Sequence, residues 1–274
     1  MARTFELQGH RGARGLFAEN TIEGFTAVMA YEPQSIELDI AISADGVAVV
    51  VHDPSLNADL TRTADGNWLP ATGPAIKTLT LEQIRAYDVG RARPGSAKAA
   101  AYPGQLAFDG ARIPTLSKVF HATAASGVVI DAELKTEPDQ PDLTVSPETM
   151  ADLVLATASQ CGATDRLAIR SFDWRGLRHV RAVAPNVKLA WLTNHGQNDA
   201  TPAQVEAEAR GCPFQPTWAP LHATLTRDML HDAQARGLRV VPWTVNETAD
   251  MERLIGWGVD GLCTDYPDRL RKLI

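Results

Sequence analysis

Short apolar runs alternate with amphipathic stretches along most of the chain. The runs are rich in Val, Ile and Leu without strict alternation, which is typical of strands buried on both faces of a parallel sheet. They predict strands at residues 5–9, 35–42, 47–52, 128–135, 167–171, 187–192, 239–245 and 261–264. A further candidate lies at 214–220, although the prolines at 213, 216 and 220 count against it, because proline donates no ladder hydrogen bond.

Helix-start signals fall between these runs. The predicted starts, by capping residue, are Asn20, Thr80, Ser146, Asp173, Thr226 and Asn246. Strands that alternate with helices predict a right-handed β/α succession. We favour an irregular TIM-type (β/α)8 barrel in the α/β class, because polar residues stand at the C-terminal ends of many strands, where barrel active sites are built.

One region breaks the alternation. Residues 54–113 are rich in Gly, Pro, Ala and Thr and contain one convincing helical pattern, near 81–87. This is long for a loop inside a compact domain. We therefore predict a single domain over residues 1–274, with a small insertion subdomain at about 54–113 on the active-site face.

Composition narrows the class of function. The 274 residues are 45% hydrophobic and 22% charged, as in ordinary globular proteins. The formal net charge of −7 disfavours nucleic acid as a partner, but a small phosphorylated substrate needs only local positive charge. Three scattered cysteines form no disulfide framework. The N-terminus has no signal-peptide core and no apolar run would span a membrane, so we expect a cytoplasmic protein without stable membrane insertion.

Two carboxylates share one face of a predicted strand. In Ser-Ile-Glu-Leu-Asp-Ile at 35–40, Glu37 and Asp39 are two residues apart, so both point into the interior of a barrel. Adjacent interior carboxylates repel each other and are poorly solvated, so they need a cation. A hard divalent ion, Mg²⁺ or Ca²⁺, is the natural partner. The alternative is a solvated strand edge with ordinary surface acids.

A third carboxylate lies on the strand predicted at 128–135. Asp131, Glu133 and Lys135 alternate with other residues there and share one face. One interpretation is a metal ligand beside an ammonium group that binds phosphate. The other is a structural Glu–Lys pair on the surface.

The connection from Asp39 to His52 predicts a hairpin, because Asp-Gly at 45–46 is a strong turn signal. A two-residue loop places His52 opposite Asp39, and a four-residue loop places it opposite Glu37. A three-residue loop would turn it to the other face. We expect an even-length loop, with the imidazole beside both carboxylates.

Gly-His-Arg-Gly at 9–12 follows the first predicted strand. The glycines allow a tight turn that leaves His10 and Arg11 exposed to a ligand. A histidine beside an arginine suits proton transfer to a phosphate ester that the guanidinium holds. The alternative is an ordinary turn histidine.

A series of short motifs follows in order along the chain: Gly-His-Arg-Gly at 9–12, Glu-Asn-Thr at 19–21, Glu-Leu-Asp at 37–39, Asp-Gly at 45–46, His-Asp at 52–53, Leu-Thr-Arg-Thr at 60–63, Ile-Pro-Thr-Leu at 113–116, Glu-Leu-Lys at 133–135, Ser-Phe-Asp at 171–173, Trp-Thr-Val-Asn at 243–246 and Asp-Gly-Leu-Cys-Thr-Asp-Tyr-Pro at 260–267. Taken together, this series resembles the glycerophosphodiester phosphodiesterase family over nearly the whole chain.

The resemblance implies a TIM-type barrel that hydrolyses glycerophosphodiesters to sn-glycerol 3-phosphate and an alcohol. The implied acid/base pair is His10 and His52. The implied ligands of one divalent cation, Mg²⁺ or Ca²⁺, are Glu37, Asp39 and Glu133. The implied substrate contacts are Arg11, Lys135, Phe172 and Trp243.

Several alternatives stay open. The nucleophile is either the glycerol 2-hydroxyl, through a cyclic phosphate, or water, and either histidine can be the acid. Other readings are a lysophospholipase D or sphingomyelinase D type of lipid phosphodiesterase, and a non-catalytic metabolite-binding barrel. The Ala/Gly-rich stretch 91–111 leaves substrate choice open.

Overall fold

A ring of eight parallel strands forms the centre of the computed structural model, which describes residues 5–194 and 199–274. The strands, with one antiparallel addition (β3), are β1 Glu6–Gly9, β2 Ser35–Ile42, β3 Ala48–Val50, β4 Val129–Leu134, β5 Leu167–Ser171, β6 Lys188–Thr193, β7 Thr217–Pro220, β8 Arg239–Val240 and β9 Gly261–Thr264. They follow the order β8-β7-β6-β5-β4-β2-β1-β9. Backbone hydrogen bonds from Asp260 to Val240 and from Cys263 to Pro242 join the two ends of the sheet.

Helices alternate with the strands, so the predicted TIM-type barrel is confirmed. They are α1 Ile22–Ala27, α2 Leu81–Ile84, α3 Ala97–Ala101, α4 Leu116–Ala122, α5 Pro147–Gln160, α6 Trp174–Val183, α7 Pro202–Glu208, α8 Arg227–Ala235, α9 Thr248–Trp257 and α10 Pro267–Leu270. Four predicted caps are confirmed, at Thr80, Ser146, Asp173 and Thr226. In the described residues, no helix has the length and apolarity needed to cross a membrane.

The proline-rich candidate at 214–220 is a barrel strand, since β7 covers Thr217–Pro220. The strand predicted at 239–245 was too long, because β8 covers only Arg239–Val240. Pro242 follows closely and has no N–H with which to extend the ladder.

Two predicted helix caps are wrong. Thr21 rather than Asn20 caps α1, by accepting a hydrogen bond from the Gly24 N–H. Glu247 rather than Asn246 precedes the first turn of α9. Both asparagine side chains instead bind carboxylates at the C-terminal end of the barrel.

The hairpin between β2 and β3 is confirmed, but its predicted even-length loop is wrong. Ile42 pairs with Ala48, so the register extends to Ser43 opposite Val47 and leaves a three-residue loop. The Gly46 N–H bonds to the Ser43 carbonyl and Gly46 has φ of 77°, as in a turn followed by a left-handed glycine. If pairing continued in this register, His52 would lie on the outer face of the sheet. His52 does not lie there, because β3 ends at Val50 and the chain bends away from β2.

The apolar core lies between the sheet and the surrounding helices. On β2, Ile36, Leu38 and Ile40 are fully buried in it. The alternate residues Glu37 and Asp39 are also buried, but they face the barrel interior, as the period of a strand requires. The interior is therefore polar at the end where β2 and β4 finish.

The chain between β3 and α4 contains no strand of the barrel. It includes the short helices α2 and α3 and a 3₁₀ turn at Ile76–Thr78. Its apolar side chains Leu56, Ile76 and Ile84 form a cluster with Val49, separate from the main core. That residues 54–113 constitute a subdomain stays a prediction.

Candidate active site

Three carboxylates meet inside the C-terminal end of the barrel. Glu37 and Asp39 come from β2, and Glu133 comes from the neighbouring strand β4, directly beside Asp39 in register. One ligand oxygen of each lies within 4.8 Å of the others, and all three residues are buried. Neighbouring parallel strands of matched register bring these groups together because each carries its acid on the inward face.

The pKa values of the two carboxylates of β2 are shifted in opposite directions. Burial and the charge of Asp39 raise the pKa of Glu37 well above its ordinary value. Burial also acts to raise the pKa of Asp39, but the Arg11 guanidinium, His52 and Lys135 together hold it well below its ordinary value. Like charges this close cannot all ionise cheaply, so the cluster calls for additional positive charge.

His10 follows β1 and lies at the edge of this cluster. Its Nδ1 is 2.6 Å from Asp265 Oδ1, and its Nε2 is 3.8 Å from Glu37 Oε2. Burial lowers the pKa of His10 to about 4, although the Asp265 carboxylate acts in the opposite direction. The imidazole is therefore neutral at pH 7. A carboxylate that accepts from Nδ1–H leaves Nε2 as the basic nitrogen.

His52 lies at the bend after β3 and lines one cavity together with His10, Glu37 and Glu133. Its Nδ1 is 2.6 Å from Asp53 Oδ1, which repeats the arrangement at His10. Its Nε2 is 3.2 Å from Lys135 Nζ. His52 is 30% exposed at its side chain, whereas that of His10 is only 9% exposed, so the two imidazoles differ in their access to solvent.

The turn after β1 brings Arg11 against the carboxylates, so the expectation that His10 and Arg11 are exposed is wrong: each is only 7% exposed. A Cβ on Gly9 would lie 2.1 Å from the Gly12 carbonyl oxygen, so only glycine allows this tight turn. Arg11 has φ of 51°, and its backbone N–H donates to Glu37 Oε2 at 2.9 Å. Its guanidinium contacts Glu19 at 2.8 Å. Such strained backbone is concentrated at functional sites.

Lys135 lies just beyond the end of β4. Its Nζ is 2.9 Å from Glu133 Oε1 and 4.0 Å from Asp39 Oδ1. The Arg11 guanidinium is 3.3 Å from the other oxygen of Asp39, Oδ2. Two cations therefore lie against the carboxylate cluster, at different oxygens of Asp39.

An aromatic wall completes the cavity. Phe172 follows β5 and Trp243 follows β8, and their rings meet edge to face with centroids 5.4 Å apart. The Trp243 indole N–H donates to the Ala219 carbonyl at 2.9 Å, which fixes the ring. The cavity has a volume of about 370 Å³ and includes His10, His52, Glu37, Glu133, Arg11, Lys135, Phe172 and Trp243 in its lining.

All nine residues predicted for the site thus lie together. Asp39 does not line the cavity itself but belongs to the carboxylate cluster and lies close to Arg11 and Lys135, which do line it. Sequence reasoning gave no role in the site to the residues that hold the predicted ones directly or through Asp265; Asn20 and Asn246 were expected only to cap helices. These are Glu19, Asn20, Asp53, Asn246 and Asp265. Each belongs to a short motif already recognised in the chain, so motif membership was the available signal.

Asn20 illustrates what was missed. It has φ of 54°, and its Nδ2 donates to Asp39 Oδ2 at 2.9 Å. Only Asn, Asp and Gly adopt this left-handed conformation readily. Among the described residues, two of the three non-glycine residues with positive φ, Arg11 and Asn20, contact the carboxylate cluster.

Known proteins resemble this chain over nearly its whole length. Residues 10–269 match the model of the glycerophosphoryl diester phosphodiesterase family. A glycerophosphodiester phosphodiesterase of Caldanaerobacter subterraneus subsp. tengcongensis is 29% identical over 97% of this chain and 96% of its own.

Solved structures show the same likeness. A Silicibacter pomeroyi DSS-3 protein, provisionally assigned as a glycerophosphoryl diester phosphodiesterase, is 30% identical with a TM-score of 0.91, covering 100% of this chain and 94% of its own. An Oleispira antarctica phosphodiesterase in complex with the product sn-glycerol-3-phosphate has the same fold, at 22% identity and a TM-score of 0.76, over 97% of this chain and 95% of its own.

Proposed function

This chain belongs to the glycerophosphoryl diester phosphodiesterase family, and from that premise we propose that it hydrolyses glycerophosphodiesters to sn-glycerol 3-phosphate and an alcohol. His10 and His52 are the acid/base pair, and Glu37, Asp39 and Glu133 bind one divalent cation. The observation that carries the proposal is the meeting of two carboxylate-paired imidazoles with three buried carboxylates around one cavity.

The residues present fit a divalent cation. Asp39 Oδ1 is buried and, among the described residues, has no hydrogen-bond partner. The donor set consists of carboxylate oxygens, which suit Mg²⁺ or Ca²⁺ rather than a softer metal. Burial and the charge of Asp39 raise the pKa of Glu37. A cation beside Glu37 would favour its ionised form. When bound, such an ion stabilises the negative charge that develops on the phosphoryl oxygens.

The two histidines perform the proton transfers. In each, the carboxylate at Nδ1 orients the ring and leaves Nε2 as the nitrogen that transfers protons, which in His52 also lies 3.2 Å from Lys135 Nζ. One Nε2 takes the proton of the nucleophile, which is the glycerol 2-hydroxyl or water. The other protonates the departing alkoxide, and each transfer contributes roughly 10²–10⁴-fold. Where the 2-hydroxyl attacks, water then opens the cyclic phosphate to give sn-glycerol 3-phosphate.

Arg11 and Lys135 hold the phosphate. Both line the cavity and lie against the carboxylates, so a phosphate at the cluster meets a guanidinium and an ammonium. A guanidinium offers paired donors to two phosphate oxygens. Phe172 and Trp243 supply an apolar wall against which the carbon chain of the substrate packs.

The test measures sn-glycerol 3-phosphate released from glycerophosphocholine and glycerophosphoethanolamine, with and without EDTA. We expect EDTA to abolish turnover and Mg²⁺ or Ca²⁺ to restore it. We expect His10→Ala to lower kcat at least about a hundredfold. His121→Ala, an exposed histidine on α4, is the matched control and should leave kcat unchanged.

Unchanged turnover in EDTA would refute the metal assignment, and a fully active His10→Ala variant would refute the acid/base assignment. Lysophosphatidylcholine is assayed in parallel. Choline release from this lipid, but not from water-soluble glycerophosphocholine, would favour the lysophospholipase D reading instead.

A further inference from the structure

Asp265, beside the catalytic cavity, accepts hydrogen bonds from four different residues. It lies fully buried at the end of β9. Its Oδ1 accepts from His10 Nδ1 at 2.6 Å and from Arg14 Nε at 3.1 Å. Its Oδ2 accepts from a second Arg14 nitrogen at 3.1 Å, from Asn246 Nδ2 at 2.7 Å and from the Tyr102 hydroxyl at 3.1 Å. Its orientation is therefore set by its donors.

Tyr102 differs from the other donors in its origin. His10 and Arg14 belong to the turn after β1, and Asn246 follows β8, so all three come from the barrel loops. Tyr102 comes instead from the stretch 91–111, directly after α3. One residue of this stretch therefore reaches the carboxylate that holds the buried histidine.

The stretch 91–111 is docked on the turn that bears His10. The Leu106 N–H donates to the Leu16 carbonyl at 2.7 Å, and Gln105 Nε2 donates to the Arg14 carbonyl at 2.7 Å. The Arg14 guanidinium also lies over the Tyr102 ring, 4.9 Å from its centroid. These contacts hold the phenol beside Asp265 rather than leaving it free to rotate into solvent.

We propose that Tyr102 is a positioning residue for the hydrolysis: its hydroxyl helps fix Asp265, and Asp265 fixes the ring orientation and tautomer of His10. The inference rests on the acid/base role proposed above for His10. It makes the stretch 91–111 part of the catalytic apparatus, because the buried histidine is fully oriented only when this stretch is docked. Burial and the Asp265 charge raise the pKa of Tyr102, so the phenol stays protonated and donates.

The test is Tyr102→Phe, which keeps the ring over Arg14 and removes only the hydroxyl. Loss of one of several donors predicts that kcat falls by about threefold to tenfold while KM changes less than about twofold. The matched control is Tyr87→Phe in the same insertion, whose hydroxyl bonds to none of the described residues. It should leave both constants unchanged.

A second measurement separates positioning from simple anchoring. In histidine-labelled protein, NMR reports the Nδ1–H signal and the tautomer of His10, identified by its loss in His10→Ala. We expect this signal to shift or broaden in Tyr102→Phe and to stay unchanged in Tyr87→Phe. An unchanged signal, or an unchanged kcat, would overturn the proposal. The NMR result is readable even if the wild type hydrolyses no glycerophosphodiester, so failure of the proposed function is distinguishable from failure of this inference.

Discussion

The two ends of the barrel interior are both polar and both buried, but they use charge in opposite ways. Towards the N-terminal end, Asp131 is paired with Arg170, which comes from the level of Glu133 and also lines the catalytic cavity; its Nε and a second nitrogen lie 2.9 Å and 2.6 Å from Asp131. Gln8 joins the pair, since it donates to Asp131 at 2.8 Å and accepts from Arg170 at 2.6 Å. At the C-terminal end, like charges gather instead around Glu37.

The same strands thus carry one buried carboxylate that stabilises the fold and others that serve the site. β4 contributes Asp131 to the N-terminal end, where charges are paired (the paired end), and Glu133 to the C-terminal end, where carboxylates cluster (the clustered end). The two residues are only two positions apart. A buried acid with an adjacent cation is satisfied by the fold alone. At the C-terminal end Lys135 and Arg11 offset only part of the like charge, because burial and Asp39 still raise the pKa of Glu37, and proteins retain such a cost mainly at functional sites.

Asp131→Asn should have the largest effect on stability. The substitution conserves shape but leaves the buried Arg170 guanidinium without its counter-charge. We expect the free energy of unfolding, measured in urea, to fall by about 3–5 kcal/mol. A loss below about 1 kcal/mol would mean that the paired end does not hold the barrel together.

Glu37→Gln, the equivalent change at the clustered end, should act in the opposite direction on stability. Burial and Asp39 raise the pKa of Glu37, so its ionised form costs stability at neutral pH. Without added metal we expect a gain of about 0.5–2 kcal/mol in the free energy of unfolding. Turnover should fall at least about a hundredfold, or about 2.7 kcal/mol in barrier, because a metal ligand is lost.

Glu82→Gln on the exposed surface of α2 is the control for that variant and should change neither quantity. Added Mg²⁺ or Ca²⁺ should stabilise the wild type but not Glu37→Gln, since only a site that binds the ion gains from it. A Glu37→Gln variant that is less stable than the wild type, and that metal stabilises as much as the wild type, would contradict the view that Glu37 costs stability in order to bind a cation.

The smallest effect is expected at an ion pair outside the barrel. Arg178 on α6 contacts Glu208 on α7 through two hydrogen bonds of 2.8 Å and 3.0 Å, but its side chain is 51% exposed. Solvent screens this pair, so Arg178→Ala should cost only about 0–1 kcal/mol in urea unfolding. A cost as large as that of Asp131→Asn would show that burial does not account for the difference.

Local sequence determined most of the framework. The strand over Ser35–Ile42 has its predicted bounds, and Ser146 and Thr226 cap helices as expected, because apolar period and capping depend on residues close in the chain. The shared face of Glu37 and Asp39 follows from strand geometry alone. The ordered motifs also identified the family, without the coordinates.

Tertiary structure decided which groups hold those residues. The His10–Asp265 bond spans 255 positions and the Asn20–Asp39 bond spans 19, so no local pattern predicts either partner. The position of His52 was also decided by tertiary structure. The predicted even-length loop placed its ring beside the carboxylates, but the loop has three residues, with Gly46 in the left-handed conformation. The ring reaches the cavity only because the chain bends after β3. Sequence determines periodicity and local turns, while the distances between loops arise only when the barrel closes.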